Sequence, residues 1–341
     1  MTEDILTTEY CPDIDVREDE ILQSDPKLLL LLLKDKTTGK NILWATTDYA
    51  WLGTGYEEFS EILPELITGE NRLLIRPRIS KEKAEKANRT REKAEVFTPA
   101  WVCNKQNNLV DAAWFGRDNV FNTESDKGWT AVPEPVDFDN PKKPWNKYVD
   151  AQRLEITCGE APYLVSRYDT VTGEKLPIVS RIGLLDRKLR VVNENTQTEE
   201  DWCKWAQRAF ESVYGYEYQG DNLLLARENL LFTYIDYYYA RFGHAPSIKL
   251  THKIALIISW NIWQMDGLKY VVPNSCYDEE PSNVQTHLLE EKPIVKTPCP
   301  GCASGNKYKH NGIYCRIQDW RDKSSKRFID MIRKDKRNGG I

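Results

Sequence analysis

Apolar residues recur at helical spacing in three stretches of the second half of the chain: EEDWCKWAQRAFESV, DNLLLARENLLFTYIDYYYARFG and KIALIISWNIWQMDGL. The first predicts a helix with Thr198 as N-cap and Glu199 and Glu200 in its first turn, where carboxylates oppose the positive end of the helix dipole. The second predicts a long helix ended by Gly243, and the third a helix that runs into a strand end. VYGYEY between them reads as a short strand. Upstream, RLEITCGEAPYLVSRYD reads as a β-prone run, a tight corner and a short apolar helix. Strand, helix, strand, helix, strand predicts an α/β fold with a mostly parallel sheet and a ligand at the carboxyl ends of its strands.

The remaining pattern predicts three regions. Residues 1–93 mix turn signals with short apolar runs and form an accessory region. It includes the six leucines Leu28–Leu33, a buried strand or helix turn far below the roughly 20 apolar residues of a membrane span. It ends in the basic stretch RLLIRPRISKEKAEKANRTREK, a solvated helix or a phosphate-contacting element. Residues 94–280 hold the sheet, with irregular connections expected over 104–150 and 170–198. Residues 281–341 form a C-terminal segment, whose tail RDKSSKRFIDMIRKDKR reads as a basic amphipathic helix for a partner, for a DNA backbone or for solvent.

Composition narrows this picture only a little. With 40% hydrophobic and 11% aromatic residues among 341, the chain is globular rather than disordered. A formal net charge of −5 gives no general polyanion-binding signal, so any nucleic-acid contact must come from local basic patches. The acidic N-terminus lacks the basic and apolar regions of a secretory signal, and the expected location is cytoplasmic, with no membrane partner. The eight cysteines are then expected as reduced thiols.

The corner Cys158-Gly159-Glu160-Ala161 follows Glu155 on the first strand, and Glu217 ends the second. A turn that lets backbone approach a ligand, followed by a carboxylate placed for a ribose, suits any nucleotide cofactor. In order, AEVFTP, LEITCGEAPYL, YGYEYQGDNLLLARENL and NIWQMDGL resemble the DNA adenine amino-methyltransferases of restriction-modification systems, in particular chains described as restriction endonuclease subunit M. The resemblance covers about residues 94–270. It implies a Rossmann-like S-adenosylmethionine-dependent methyltransferase sheet, with DNA as substrate and restriction or specificity subunits as partners.

The same resemblance implies roles residue by residue. Phe97, Thr98 and Pro99 would border the methionine part of S-adenosylmethionine. Glu155, Thr157, Cys158 and Gly159, followed by Tyr163 and Leu164, would hold its amino-acid end. Glu217 would take the ribose and Asp266 the cofactor adenine. Ala161 stands where the family prefers a second glycine, Ile156 replaces a proline, and about sixty residues separate Glu155 from Glu217. The implied reaction moves the sulfonium methyl to the exocyclic amine of a flipped-out adenine. The family's catalytic Asp/Asn-Pro-Pro-Tyr/Phe loop is missing; Asn274-Ser275-Cys276-Tyr277 keeps its polar first and aromatic last residue, which makes Asn274 and Tyr277 the catalytic candidates. The alternative is a non-catalytic methyltransferase-like scaffold that binds DNA or a partner.

Cys299-Pro-Gly-Cys302, with His310 and Cys315 downstream, offers four ligands for one tetrahedral structural zinc. A redox pair is disfavoured because no thioredoxin-like unit surrounds it. His244, His252 and His287 have no ligand-like neighbours in sequence and read as surface or packing residues.

Overall fold

The computed structural model describes residues 18–81, 98–279 and 296–332. The leucine run is a helix, Pro26–Leu33. The Asp25 carboxylate accepts from the Lys27 and Leu28 backbone N–H groups, and Pro26 takes the first helical position, where its missing N–H is no loss. The same carboxylate pairs with His252, which therefore packs between regions rather than facing solvent.

The fold is mixed α/β with small, separate sheets. β1 (Asn122–Ser125) and β2 (Gly128–Ala131) form an antiparallel pair. β3 (Arg153–Glu155), β4 (Val213–Glu217) and β5 (Ile262–Gln264) form a parallel sheet in that order. β6 (Arg316–Asp319) and β7 (Ser324–Arg327) form a second antiparallel pair. Because the parallel strands are added in one direction, right-handed crossovers place every connecting helix on the same face. The helices Glu199–Glu211, Gly220–Phe242 and Ile248–Asn261 accordingly pack on β4 and β5, with Val213 and Ile262 in the main core. The opposite face presents Tyr214, Tyr216 and Trp263. It is covered by Cys315, Ile317 and Phe328 of the C-terminal segment.

The N-terminal region belongs to the same core through Ile21, Leu29, Trp44 and Ile62. One of its joints lies at the carboxyl end of β5, where the Gln264 amide accepts from the Leu43 N–H at 2.7 Å and donates to the Leu43 carbonyl at 2.8 Å. Leu43 thus meets a side chain that imitates a neighbouring strand. Its carbonyl passes so near Gly220 that a Cβ there would lie 2.0 Å from the oxygen. Further along, the Arg316 N–H donates to the Thr37 hydroxyl at 3.0 Å. Among the described residues no helix is long and apolar enough to cross a membrane.

Several stretches differ from expectation. Residues 104–150 are not an irregular connection: they contain most of the helix Ala100–Phe115, the β1–β2 hairpin and the helix Trp145–Asp150. Residues 170–198 contain the helix Leu184–Asn195. The helix Ala100–Phe115 escaped a hydrophobic-periodicity reading because its buried residues are mostly polar, whereas Leu184–Asn195 carries Leu185, Leu189 and Val192 at helical spacing and was legible; the seam between the two is polar. Arg187 is buried there, donating to Asp111 at 2.5 Å and to Asn104 and Asn108 at 2.8 Å, while the Tyr148 hydroxyl donates to Asp111 at 2.9 Å. The tail is not a continuous helix from Arg321, since Ser324–Arg327 is strand β7. The run after the corner makes turns instead of a helix. The basic stretch is turns and a short 3-10 helix as far as Lys81, and residues 82–93 lie outside the described residues, as does His287.

Candidate functional site

β3 delivers the chain to the corner, and the corner is built from left-handed backbone. Thr157, Gly159 and Ala161 have φ of 46°, 54° and 63°. Ala161, fully buried, therefore adopts the conformation that suits the glycine the family prefers there, at the cost of its own Cβ. Two buried carboxylates hold this backbone. Glu155 accepts from the Tyr163 and Leu164 N–H groups at 3.3 and 3.1 Å. Glu217 accepts from Gly159 at 2.8 Å, across from the next strand, and from Tyr218 and Gln219 at 2.9 and 3.2 Å. Three of about four acceptor positions on Glu217 are thus used by backbone, which leaves about one for a ligand. Thr98 and Pro99 lie beside the end of the run that follows the corner, where the Thr98 carbonyl accepts from the Thr170 hydroxyl at 3.2 Å and Asp169 accepts from the Ala100 N–H at 2.7 Å. Phe97 lies outside the described residues.

Burial raises both carboxyls against the opposing pull of the backbone N–H groups, Glu155 to about 8. Between about pH 4.5 and 8 the folded protein keeps a proton on Glu155 that the unfolded chain has lost. Folding stability should therefore fall as pH rises through that window. Urea titrations across the window should show a shallower fall for Glu155→Gln, and an unchanged slope would mean that Glu155 is not the titrating group.

Asp266 follows β5 and opens a tight turn. Its carboxylate accepts from the Leu268 and Lys269 N–H groups at 3.0 and 3.1 Å, and Lys269 Nζ stands 3.4 Å away. Asp266, Asn274 and Tyr277 line one cleft of about 300 Å³, together with Phe59 of the N-terminal region and the thiols of Cys276, Cys299 and Cys302. The structure thus brings Asn274 and Tyr277 next to Asp266. Asn274, with φ of 58°, donates to the Glu58 carbonyl at 3.1 Å and accepts from the Tyr218 hydroxyl at 3.3 Å. Tyr277 is 61% exposed.

A Cys3His cluster that could hold a metal ion forms, with one of the expected residues exchanged. His310 Nδ1 lies 3.6 Å from Cys276 Sγ, 3.6 Å from Cys299 Sγ and 3.7 Å from Cys302 Sγ. All four ligand atoms fall within 4.8 Å of one another. Tetrahedral zinc, with Zn–S of about 2.3 Å and Zn–N of about 2.0–2.1 Å, requires a sulfur-to-nitrogen separation of about 3.6 Å, so the donor set fits that ion. Cys315 is not a ligand. It is buried under the sheet, its thiol donating to the Gln264 carbonyl at 3.3 Å, and Cys276 takes its place.

Two glycines make the knuckle possible. A Cβ on Gly301 would come within 2.5 Å of the His310 ring, and one on Gly312 within 3.0 Å of Cys276. Burial pushes the Cys299 thiol up, but the Asn311, Cys302 and Gly301 N–H groups and the His310 ring outweigh it and hold it at about 6. Burial and the neighbouring thiols push Cys276 up to about 12. Cys276 becomes a thiolate beside Cys299 only with a cation between them. Sequence reasoning missed Cys276 because it lies upstream, inside the tetrapeptide assigned to catalysis. The available signal was Gly312 beside His310, which marks a close approach by another segment. Compared with known proteins, the chain matches no family model, no curated protein and no solved structure.

Proposed function

We propose that the chain is a DNA adenine methyltransferase of the restriction-modification type, binding S-adenosylmethionine at the carboxyl ends of β3, β4 and β5. The observation that carries this reading is the contact between the corner and the second strand, Gly159 N–H to Glu217 carboxylate at 2.8 Å. It supports the reading because the corner and the end of the second strand, the two parts to which the resemblance assigns the cofactor, meet there. The strand order β3-β4-β5 is also that of the first half of a doubly wound sheet. The group supplies, when bound, a methyl already activated on sulfonium. The chain's own residues do the positioning: the corner and Glu217 orient the cofactor, Asp266 faces its adenine, and Asn274 and Tyr277 hold the target base. Zinc is the metal of the Cys3His cluster, and its role is structural, since four protein ligands leave no open position.

One observation favours the non-catalytic scaffold as a second reading. Asn274 is already tied to the Glu58 carbonyl and Tyr218, and Cys276 in the same loop is a metal ligand. Titration calorimetry with S-adenosylmethionine tests the cofactor, and methyl transfer to mixed-sequence duplex DNA separates enzyme from scaffold. Glu217→Ala should weaken cofactor binding by at least about tenfold, because a charge-assisted hydrogen bond contributes about 1.5–3 kcal/mol. Unchanged affinity would refute the assignment, while binding without transfer on any DNA would select the scaffold.

A further inference from the structure

Charge is unevenly distributed along this chain. From Lys296 to the C-terminus twelve Lys/Arg stand against four Asp/Glu, a net +8, so the preceding residues carry −13. Such asymmetry points to a polyanion contacted by one end of an otherwise acidic protein. Much of the basic charge of the hairpin is neutralised internally. Lys326 pairs with Asp319 and Asp322, and Arg327 with Asp330. By contrast, among the described residues no carboxylate lies within ion-pair distance of Lys307 or Lys309.

These two lysines flank Tyr308, which is 42% exposed, and the triplet immediately precedes the metal ligand His310. Lys307 Nζ lies 4.8 Å from the centre of the Tyr270 ring and 5.6 Å from that of Tyr308. Tyr270 belongs to the turn opened by Asp266, whose side chain lines the cleft together with Cys299 and Cys302. The triplet is therefore held between His310, whose cluster partners Cys276, Cys299 and Cys302 line that cleft, and the Lys307 cation–π contact with Tyr270.

We infer that Lys307-Tyr308-Lys309 is a DNA-contact element that seats duplex phosphates beside the cleft. Two such cations on a rigid knuckle suit phosphate oxygens, and an exposed ring between them suits a base or sugar face. The acidic remainder of the chain repels DNA elsewhere, which confines the duplex to this end. The inference rests on the DNA reading proposed above, and supplies it with a contact surface that the cofactor motifs do not.

The test uses the full-length zinc-loaded protein and a fluorescein-labelled mixed-sequence duplex, with anisotropy measured over a series of salt concentrations. For wild type, the logarithm of the binding constant should fall linearly with the logarithm of salt concentration. Lys307→Gln/Lys309→Gln should flatten that slope by about 0.9 for each phosphate no longer neutralised and weaken low-salt binding on the order of tenfold. Tyr308→Ala should weaken binding about fivefold or more with the slope unchanged. Zinc content and cofactor affinity should stay at wild-type values in each. If the double variant loses zinc, Lys309→Gln alone carries the test, because Lys309 makes no ring contact among the described residues. Wild-type slope and affinity in the variants would overturn the inference while leaving the DNA reading intact. A wild type that binds cofactor but no duplex would overturn both. Lysine-dependent binding to single-stranded RNA or phosphatidylserine vesicles, without binding to duplex, would assign the surface to another partner and overturn the inference.

Discussion

Cys276→Ala should yield protein without its metal, whereas Cys315→Ala should retain about one zinc per chain. The two substitutions exchange the outcomes expected from sequence order alone. Cys276 Sγ is one of three sulfurs at the 3.6–3.7 Å separation from His310 that a tetrahedral ion demands, and Cys315 lies apart with its thiol on the Gln264 carbonyl. Structural zinc in small peptides is bound with an apparent 10–16 kcal/mol, roughly, and much of that is folding free energy. Apolar side chains also hold the C-terminal segment, with Cys315, Ile317 and Phe328 against Tyr214, Tyr216 and Trp263, and with Trp320, Ile329, Met331 and Ile332 beside them. Loss of the ion should loosen this layer, so near-ultraviolet circular dichroism from Trp263 and the tyrosines should weaken together with the metal content. Cys315→Ala should cost only on the order of 1–2 kcal/mol, as a small buried truncation does. Full metal occupancy in Cys276→Ala, or a metal-free Cys315→Ala, would reverse the ligand assignment.

Arg187→Ala should destabilise the fold by about 3–5 kcal/mol, the usual result of removing one partner from a buried ion pair. The guanidinium and the Asp111 carboxylate are 1% and 2% exposed. Arg187 also satisfies the amide oxygens of Asn104 and Asn108 and sits 5.3 Å from the centre of the Phe121 ring. Its loss strands Asp111 as a buried charge with Tyr148 as its remaining donor. Arg187→Lys keeps the charge but not the fork that reaches three acceptors, and should cost less than the alanine variant. Urea denaturation at neutral pH measures both. A shift below about 1 kcal/mol for Arg187→Ala would show that this seam does not hold the helices 100–115 and 184–195 together.

The parts of the fold legible in the sequence are those where burial is apolar or where a cap has a fixed chemistry. Thr198 accepts from the Asp201 N–H as a cap, Gly243 ends the long helix with φ of 77°, and β4 and β5 stand where VYGYEY and the end of KIALIISWNIWQ placed them. Where a buried face is polar, periodicity reads it as solvent. Asn104, Asn107 and Asp111 hid the helix Ala100–Phe115 in that way, while the apolar stripe of Leu184–Asn195 was there to be read. The candidate site divides similarly. Glu155, Gly159 and Glu217 meet as their order suggested, and Cys299, Cys302 and His310 meet because they are near in sequence. Cys276 could be assigned only after the fold returned the chain to the same point. Gly312 beside His310 marks that another segment approaches there, but not which one.

The joint between Leu43 and Gln264 also sets a timetable for synthesis. Its two hydrogen bonds close a separation of 221 residues, and the Thr37–Arg316 bond closes one of 279. At about 5–20 residues per second, a ribosome needs roughly 10–45 s to deliver Gln264 after Leu43. Throughout that interval the leucine helix has no β5 end and, until the long helix emerges, no Arg227 to cover it, although its last carbonyls are the ones that Arg227 will bind. The nascent leucine helix is therefore an apolar element waiting for its partners, and a chaperone that shields Leu28–Leu33 until the later helices emerge would raise the yield of folded chain.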